Sequence, residues 1–149
     1  MIRARFKSMR FRIPRLGGGV RDSLEAPELG LCVSPSGGIE MVDGDESVRQ
    51  AVLLLLATRP GERVMRPEYG CDLHRLMFAP NDDTTAGLAK HYVERALARW
   101  EPRIQVLNVD ANRVDEDPGR LDIQLEYRVR ATQRTERLTV PVNLLGENP

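Results

Sequence analysis

Between Leu121 and Ala131 the chain alternates without a fault. Leu121, Ile123, Leu125, Tyr127, Val129 and Ala131 are apolar, and Asp122, Gln124, Glu126, Arg128 and Arg130 between them are polar. A period of two marks a strand with one dry and one wet face, as antiparallel sheets have. The segments on either side read alike but less regularly. From Arg103 to Ala111, Ile104 and Val106 keep one phase and Leu107, Val109 and Ala111 the other. That slip predicts a bulge near Val106. Asp115-Glu116-Asp117-Pro118-Gly119 has the composition of a turn. Arg134 to Val142 supplies a third strand, and Pro141 places its end on a sheet edge.

Upstream the period changes to that of helices. Val48, Ala51, Val52 and Leu55 share one face, and Leu53, Leu54 and Leu56 widen it until the helix is apolar nearly all round, hence central and buried. Asp43 or Asp45 is placed to cap it, and Ser47 with Gln50 has the spacing of a capping box. Pro60-Gly61 ends it in a tight turn, and Glu62 to Arg66 suits a short extended segment before Pro67. Leu73, Leu76, Met77 and Phe78 suggest one apolar helical turn. A longer helix follows. Asn81, Asp82 and Asp83 offer N-caps and negative charge at its positive end. Its stripe is Ala86, Ala89, Val93, Ala96, Leu97 and Trp100; Lys90, Glu94, Arg95 and Arg99 face away, and Pro102 stops it. Ahead of both helices, Leu31 to Ser34, Pro35-Ser36-Gly37-Gly38 and Ile39 to Val42 read as a short hairpin. The expected fold class is α+β: a small antiparallel three-stranded meander with two main helices on one face, a short N-terminal hairpin and a basic N-terminal arm.

Charge defines that arm. The net charge of the 149 residues is zero, yet Arg3, Arg5, Lys7, Arg10, Arg12, Arg15 and Arg21 precede the first acid. Residues 1–30 therefore read as a basic arm and 31–149 as one domain with one core. Ile2, Phe6, Met9, Ile13 and Leu16 have helical spacing, although Pro14 and Gly17-Gly18-Gly19 oppose a long helix. The arm is either flexible or ordered against an acidic partner surface. It lacks the interleaved aromatics of a single-strand binder and any base-reading motif, which argues against nucleic acid. With Ser8 it also fits a mitochondrial transit peptide, and no secretory signal is expected. The longest apolar run, Ala51 to Ala57, is too short to span a bilayer. Cys32 and Cys71 form no CxxC pair, so the default is a reducing, cytoplasmic birthplace.

Two runs carry the candidate chemistry: RPGERVMRPEYG, Arg59 to Gly70, and WEPRI, Trp100 to Ile104. Each sets a proline beside an acid–arginine pair where a helix ends, and neither places a nucleophile next to a base. Around Pro102 the backbone is fixed, so Glu101 and Arg103 project in set directions. They are either solvated end charges of little worth or a dock whose guanidinium grips a carboxylate bidentately. In Arg59-Pro60-Gly61-Glu62-Arg63, Gly61 permits the turn. Glu62 and Arg63 then pair with the other motif or a partner, or the run is a structural corner. Cys71 and His74 lack the second pair a zinc site needs, His91 is an ordinary helical histidine, and Asp115 to Asp117 lack the alternating ligands of a calcium loop. No metal or cofactor is expected. A glycosidase needs two carboxylates across a sugar cleft, one with a raised pKa. Glu62, Glu68 and Glu101 each have an arginine one or two residues away, which lowers a carboxylate pKa. Three tyrosines, three phenylalanines and one tryptophan leave little to stack on a sugar. No catalytic residue is expected.

Taken together the two runs resemble the baseplate wedge family of contractile tails, found in phage tails, type VI secretion and extracellular injection particles, some of whose members have been labelled tail lysozymes. The resemblance extends from about Gly37 to Leu145. It implies a structural subunit, present in several copies of a six-fold assembly, that docks the contractile sheath to the baseplate. Its implied partners are sheath subunits, other wedge proteins and tube- or hub-proximal proteins. Glu101, Pro102 and Arg103 match the family's Glu-Pro-Arg hallmark, which is linked to joining other wedge components. Tyr69 stands where the family often has phenylalanine. The family's small domain resembles the sheath's interlocking domain and receives extended arms from the first sheath ring. The physical route is strand addition to an open edge, here expected at Arg134, Thr135, Glu136, Arg137, Leu138, Thr139 and Val140. Assembly is expected in the cytoplasm, into a tail-like particle. The competing readings are a stand-alone module whose basic arm binds nucleic acid or an acidic protein, and a muramidase-like enzyme.

Overall fold

The computed structural model describes residues 7–9, 11–12, 30–31 and 33–145. Four short strands come first: β1 (Lys7–Met9), β2 (Phe11–Arg12), β3 (Gly30–Leu31) and β4 (Met41–Asp43). Helix α1 (Gly44–Ala57), a 3-10 turn (Asp72–Leu76) and helix α2 (Asp83–Trp100) lead to the meander of β5 (Ile104–Val114), β6 (Asp117–Val129) and β7 (Thr135–Asn143). The α+β class is as expected.

β6 is the middle of the sheet, antiparallel to both neighbours. Leu121, Ile123, Leu125, Tyr127 and Val129 are all buried, each worth about 1.5–3 kcal/mol of apolar burial. They meet Val48, Val52, Leu55 and Leu56 of α1 and Ala89, Val93, Ala96 and Leu97 of α2 in one core. Ala131 leaves this pattern: it lies exposed in the β6–β7 turn, because the Gln133 N–H bond to Val129 O (2.7 Å) closes the turn there. The predicted bulge is present. Val106 pairs with Tyr127 and Asn108 with Glu126, so Leu107 is the extra residue. It absorbs the slip in phase and lets Ile104 and Val109 both face the core.

The helix starts differ in detail from the sequence reading. α1 begins at Gly44, so Ser47 and Gln50 are buried within the helix and form no capping box at its start. Asp45 instead accepts a bond from Thr132 Oγ1 at 2.9 Å, tying α1 to the β6–β7 turn. At α2 the cap is Asp82, whose carboxylate accepts the Thr85 N–H at 2.8 Å. Asn81 bonds the carbonyls of Pro118 (2.9 Å) and Arg120 (3.1 Å), anchoring the start of β6. Of the expected apolar turn, Leu73 and Leu76 are buried but Phe78 is exposed. Its backbone is left-handed (φ 66°) and its N–H bonds Leu144 O at 2.6 Å, which turns the ring outward.

The segment from Arg59 to Gly70 contains turns and no strand. The expected extended stretch from Glu62 to Arg66 is replaced by successive bonds, Glu62 N–H to Arg59 O (3.2 Å) and Arg66 N–H to Arg63 O (3.2 Å). The hairpin expected between Leu31 and Val42 survives as one bridge, Val33 to Ile39, around the Pro35–Gly38 turn. Its flanks pair elsewhere: β4 with β1 and β3 with β2. Residues 7–9 and 11–12 are thus extended, and the helical spacing through Met9 forms no helix there. Met9 and Phe11 also satisfy a period of two, and main-chain pairing of residues 7–9 and 11–12 selects that alternative. The rest of the 1–30 arm and Cys32 lie outside the described residues.

Candidate docking corner and sheet edges

α2 carries its apolar stripe to Trp100 and ends there, because Pro102 has no N–H to extend it. The Glu101 N–H still bonds Leu97 O (3.0 Å), and the Arg130 N–H bonds Arg103 O (2.9 Å) as β5 begins. Glu101 and Arg103 emerge on either side of the proline and turn toward each other. Arg103 Nε donates to Glu101 Oε1 at 2.6 Å and its Nη2 to Oε2 at 2.8 Å. Glu101 is 6% exposed and Arg103 half-buried. The bond to Glu101 raises the Arg103 pKa above its already high value. Glu101 is therefore an internal acceptor, and Arg103 is the more exposed member of the pair.

The other run folds onto the same corner. Pro60 and Gly61 (φ +96°) occupy the centre of a tight turn whose Arg59 N–H also bonds Glu62 Oε2 at 3.1 Å. That bond caps the turn with Glu62, so the acid is spent locally. The loop closes where the Gly61 N–H meets Pro67 O (2.7 Å) and the Cys71 N–H meets Thr58 O (2.9 Å). At Gly70 (φ +140°) a Cβ would stand 2.6 Å from Thr58 O, so no other residue fits. The Arg63 guanidinium lies 4.3 Å over the Tyr69 ring, Tyr69 meets Trp100 edge-on at 5.3 Å, and Arg99 covers Trp100 at 4.9 Å. Arg99 also pairs with Glu68. Burial pushes the Tyr69 phenol above its ordinary pKa, with Arg63 opposing. Tyr69 and Trp100, one from each run, thus join the two with Arg99 beside them, which the sequence spacing did not reveal; their aromatic and cationic character was the available signal.

The remaining candidates stand apart from this corner. Cys71 is buried, its thiol pushed up to about 11 by burial, and its S–H points to Tyr92 O at 3.5 Å. Among the described residues no group of three or more His, Cys, Asp and Glu side chains is arranged to hold a metal. No helix among them is long and apolar enough to cross a membrane.

The sheet has two outer strands. Val129 N–H bonds Arg134 O at 2.9 Å, and the register onward is unbroken. Antiparallel ladders alternate, so the peptide groups of Glu136, Leu138, Val140 and Val142 face β6. Those of Thr135, Arg137, Thr139 and Pro141 face outward. Pro141 therefore sits where a missing N–H costs the ladder nothing. On the other side, α2 and β5 enclose a groove of about 640 Å³, lined in part by Leu97, Ala98, Pro102, Val106 and Leu107.

The sequence profile of the family described as baseplate wedge protein gp25 matches residues 42–134, which include both motifs, β5 and β6 and end just before β7. The chain belongs to this baseplate wedge family. Over 74 residues it is 35% identical to baseplate wedge protein gp25 of Enterobacteria phage T4, covering 50% of this chain and 56% of that protein. The match thus spans little more than half of the T4 protein. To baseplate protein W of Escherichia phage P2 it is 29% identical over 113 residues, covering 76% of this chain and 96% of the relative. Among solved structures, a Geobacter sulfurreducens protein named as a tail lysozyme superposes with a TM-score of 0.64 at 36% identity, covering 80% of this chain and all of the other. A chain of the anti-feeding prophage baseplate shares the fold at a TM-score of 0.57 and 24% identity, covering 76% of this chain and 80% of that one. In this wedge family member the Glu-Pro-Arg run is complete, and Tyr69 is the residue that holds the neighbouring loop against it.

Proposed function

We propose that this chain is a structural wedge subunit that joins the contractile sheath to the baseplate and acts by assembly, not catalysis. The observation that supports this most is the outer edge of β7. It is in continuous register and carries outward peptide groups from Thr135 to Thr139 with no partner strand among the described residues. An extended arm of a sheath subunit adds there as a fourth strand, held by main-chain bonds and by side chains such as Arg137 and Thr139. The first sheath ring then copies the register of β7.

Glu101, Pro102 and Arg103 form the second contact, toward other wedge proteins or tube- and hub-proximal subunits. Glu101 fixes the guanidinium of Arg103, and a planar, pre-oriented guanidinium loses little freedom on gripping a carboxylate. Arg59-Pro60-Gly61-Glu62-Arg63 supports this corner from beside it. In this reading residues 31–149 are the docking domain, 1–30 are an accessory basic arm, and the particle is assembled in the cytoplasm. The acids of the corner support a non-catalytic role: Glu62 accepts the Arg59 N–H, Glu68 pairs with Arg99 and Glu101 with Arg103.

The test is Arg137→Pro, which removes one outward N–H and no ladder bond. Circular dichroism should show a folded domain, and electron microscopy should show baseplates that contain the variant but bear no sheath. Full-length sheath on such particles would exclude β7 as the template. Lysis of peptidoglycan by the purified protein, lost in Glu101→Gln, would exclude the non-catalytic role.

A further inference from the structure

Val64 and Met65 are the most exposed large apolar residues among those described, at 94% and 91%. They are adjacent, at the tip of the Arg59–Gly70 loop, and neither contributes to the core. A solvent-facing pair of this kind is unremarkable on a floppy loop, where ordering it against a partner costs conformational entropy. This loop is already ordered. The Glu62, Arg66 and Tyr69 N–H groups bond the carbonyls three residues back, at 3.2, 3.2 and 3.1 Å. The Gly61 N–H bond to Pro67 O closes the base, and Arg63 stacks on Tyr69, itself braced by Trp100. The tip is thus presented on a rigid mount, the circumstance in which exposed apolar side chains give the greatest return on binding.

Charge restricts what the tip fits. Arg63 and Arg66 flank it in the chain and Arg59 opens the loop, all three exposed. The loop's two acids each have a partner nearby, Glu62 the Arg59 N–H and Glu68 Arg99. An apolar pair with an exposed arginine on either side in the chain is complementary to an apolar pocket rimmed by carboxylates.

We propose that Val64 and Met65 are the apolar anchor of this subunit's contact with another baseplate protein, seated in a pocket with an acidic rim. This rests on the wedge reading above, and it moves the main contribution of the contact from the Glu-Pro-Arg corner to the loop beside it. Met65 supplies an adaptable thioether, Val64 a stiff branched side chain, and the arginines orient the encounter and exclude partners of the wrong sign.

The experiment uses baseplates assembled from the cognate gene set without this chain, to which purified wild-type or variant protein is added. Val64→Ser/Met65→Ser should keep the parent melting temperature and lose at least tenfold in incorporation. Arg63→Glu/Arg66→Glu should lose incorporation similarly, most strongly at low salt. In the free protein Met65 should oxidise readily with peroxide, being exposed, and in assembled baseplates it should be protected about tenfold or more. Normal incorporation of the serine variant, or an oxidation rate unchanged by assembly, overturns the proposal. If Arg103→Lys fails to incorporate while the serine variant succeeds, the wedge reading stands and the anchor does not. If wild-type protein fails to incorporate, both fall. Binding to anionic phosphatidylserine vesicles, abolished by the serine substitutions, would instead assign the tip to a lipid surface and overturn the acidic pocket.

Discussion

β7 meets β6 through nine consecutive partners without a shift, whereas β5 meets the same strand across two breaks, at Val106/Asn108 and Arg113/Val114. Their surroundings differ as well. β5 is tied to α2 by Lys90 to Asp110 (2.8 Å) and Arg113 to Asp83 (3.0 Å), and the groove beside α2 borders its first half. β7 has Arg137 to Glu126 on the polar face of its own sheet (3.4 Å) and Pro141 near its end. A bulge and crossing charges are what proteins use to blunt an edge. β5 is therefore guarded by irregularity, and β7 is left regular with a single proline as its stop. An edge meant to be copied must be regular, since an added strand inherits every fault in the register.

The largest effect that would break this contrast is a proline at alternate positions of β7. Leu138→Pro removes an inward donor and displaces a buried side chain, costing about 3 kcal/mol or more, and should unfold the domain. Thr139→Pro, one residue on, faces outward and should remain folded by circular dichroism. If both variants melt alike, the assignment of inward and outward faces is wrong.

Next comes the corner where β5 starts. Arg103→Ala leaves the Glu101 carboxylate buried without its bidentate partner and should cost about 2–4 kcal/mol, somewhat less than a fully buried pair because Arg103 is partly exposed. The double variant Glu101→Met/Arg103→Met should recover most of that loss in thermal melts. A single variant as stable as the parent would mean that the pair is solvated and that β5 does not depend on it.

A smaller effect is expected from deleting Leu107. Ile104, Val106, Val109 and Ala111 would still face the core, because the bulged residue alone is removed. The straightened β5 should then self-associate through its edge, seen as a concentration-dependent shift in sedimentation velocity. A strictly monomeric deletion variant would show that the bulge is not what guards this strand.

Smallest is the acid dependence of β5. The bond from Lys90 holds the Asp110 carboxyl below its ordinary pKa. Its contribution is therefore present above the unfolded-state value, about 3.9, and lost as pH falls through the lower folded-state value. Acidification should raise hydrogen exchange in β5 before β7. Asp110→Asn should remove that difference while shifting the melting temperature by only about 1–3 °C, as for an exposed pair. Equal acid sensitivity of both strands in the parent would discard this account.

Much of the scaffold was legible in the chain. The alternation of Leu121 to Val129, the stripe of α2 and the phase slip near Val106 each report burial along one element, which a one-dimensional pattern records directly. The Glu-Pro-Arg run pointed to a fixed corner for a local reason, the constraint of Pro102 on its neighbours. The pairing of Lys7–Met9 with Met41–Asp43 was not legible: Met9 satisfies both a helical and an extended spacing, and only a partner strand decides between them. Asp45 illustrates the same limit. As a sequence it is, with Asp43, one of two candidate N-caps, but its carboxylate is taken by Thr132, brought near by the fold of the sheet.

Sequence alone thus determined which residues go inside, where the helices stop and where one strand slips, because these follow from hydrophobic period and proline chemistry within a few residues. Tertiary structure decided which charges are buried and paired. Glu101 and Arg103 were equal candidates until the helix–strand turn directed them at each other and buried the acid. Tyr69 was a minor position until the loop folded back to stack it on Trp100. Val64 and Met65 read as part of an extended strand until the turns around them placed both at the tip. In each case the deciding contact joins residues whose separation is fixed by packing, and no local pattern carries that distance.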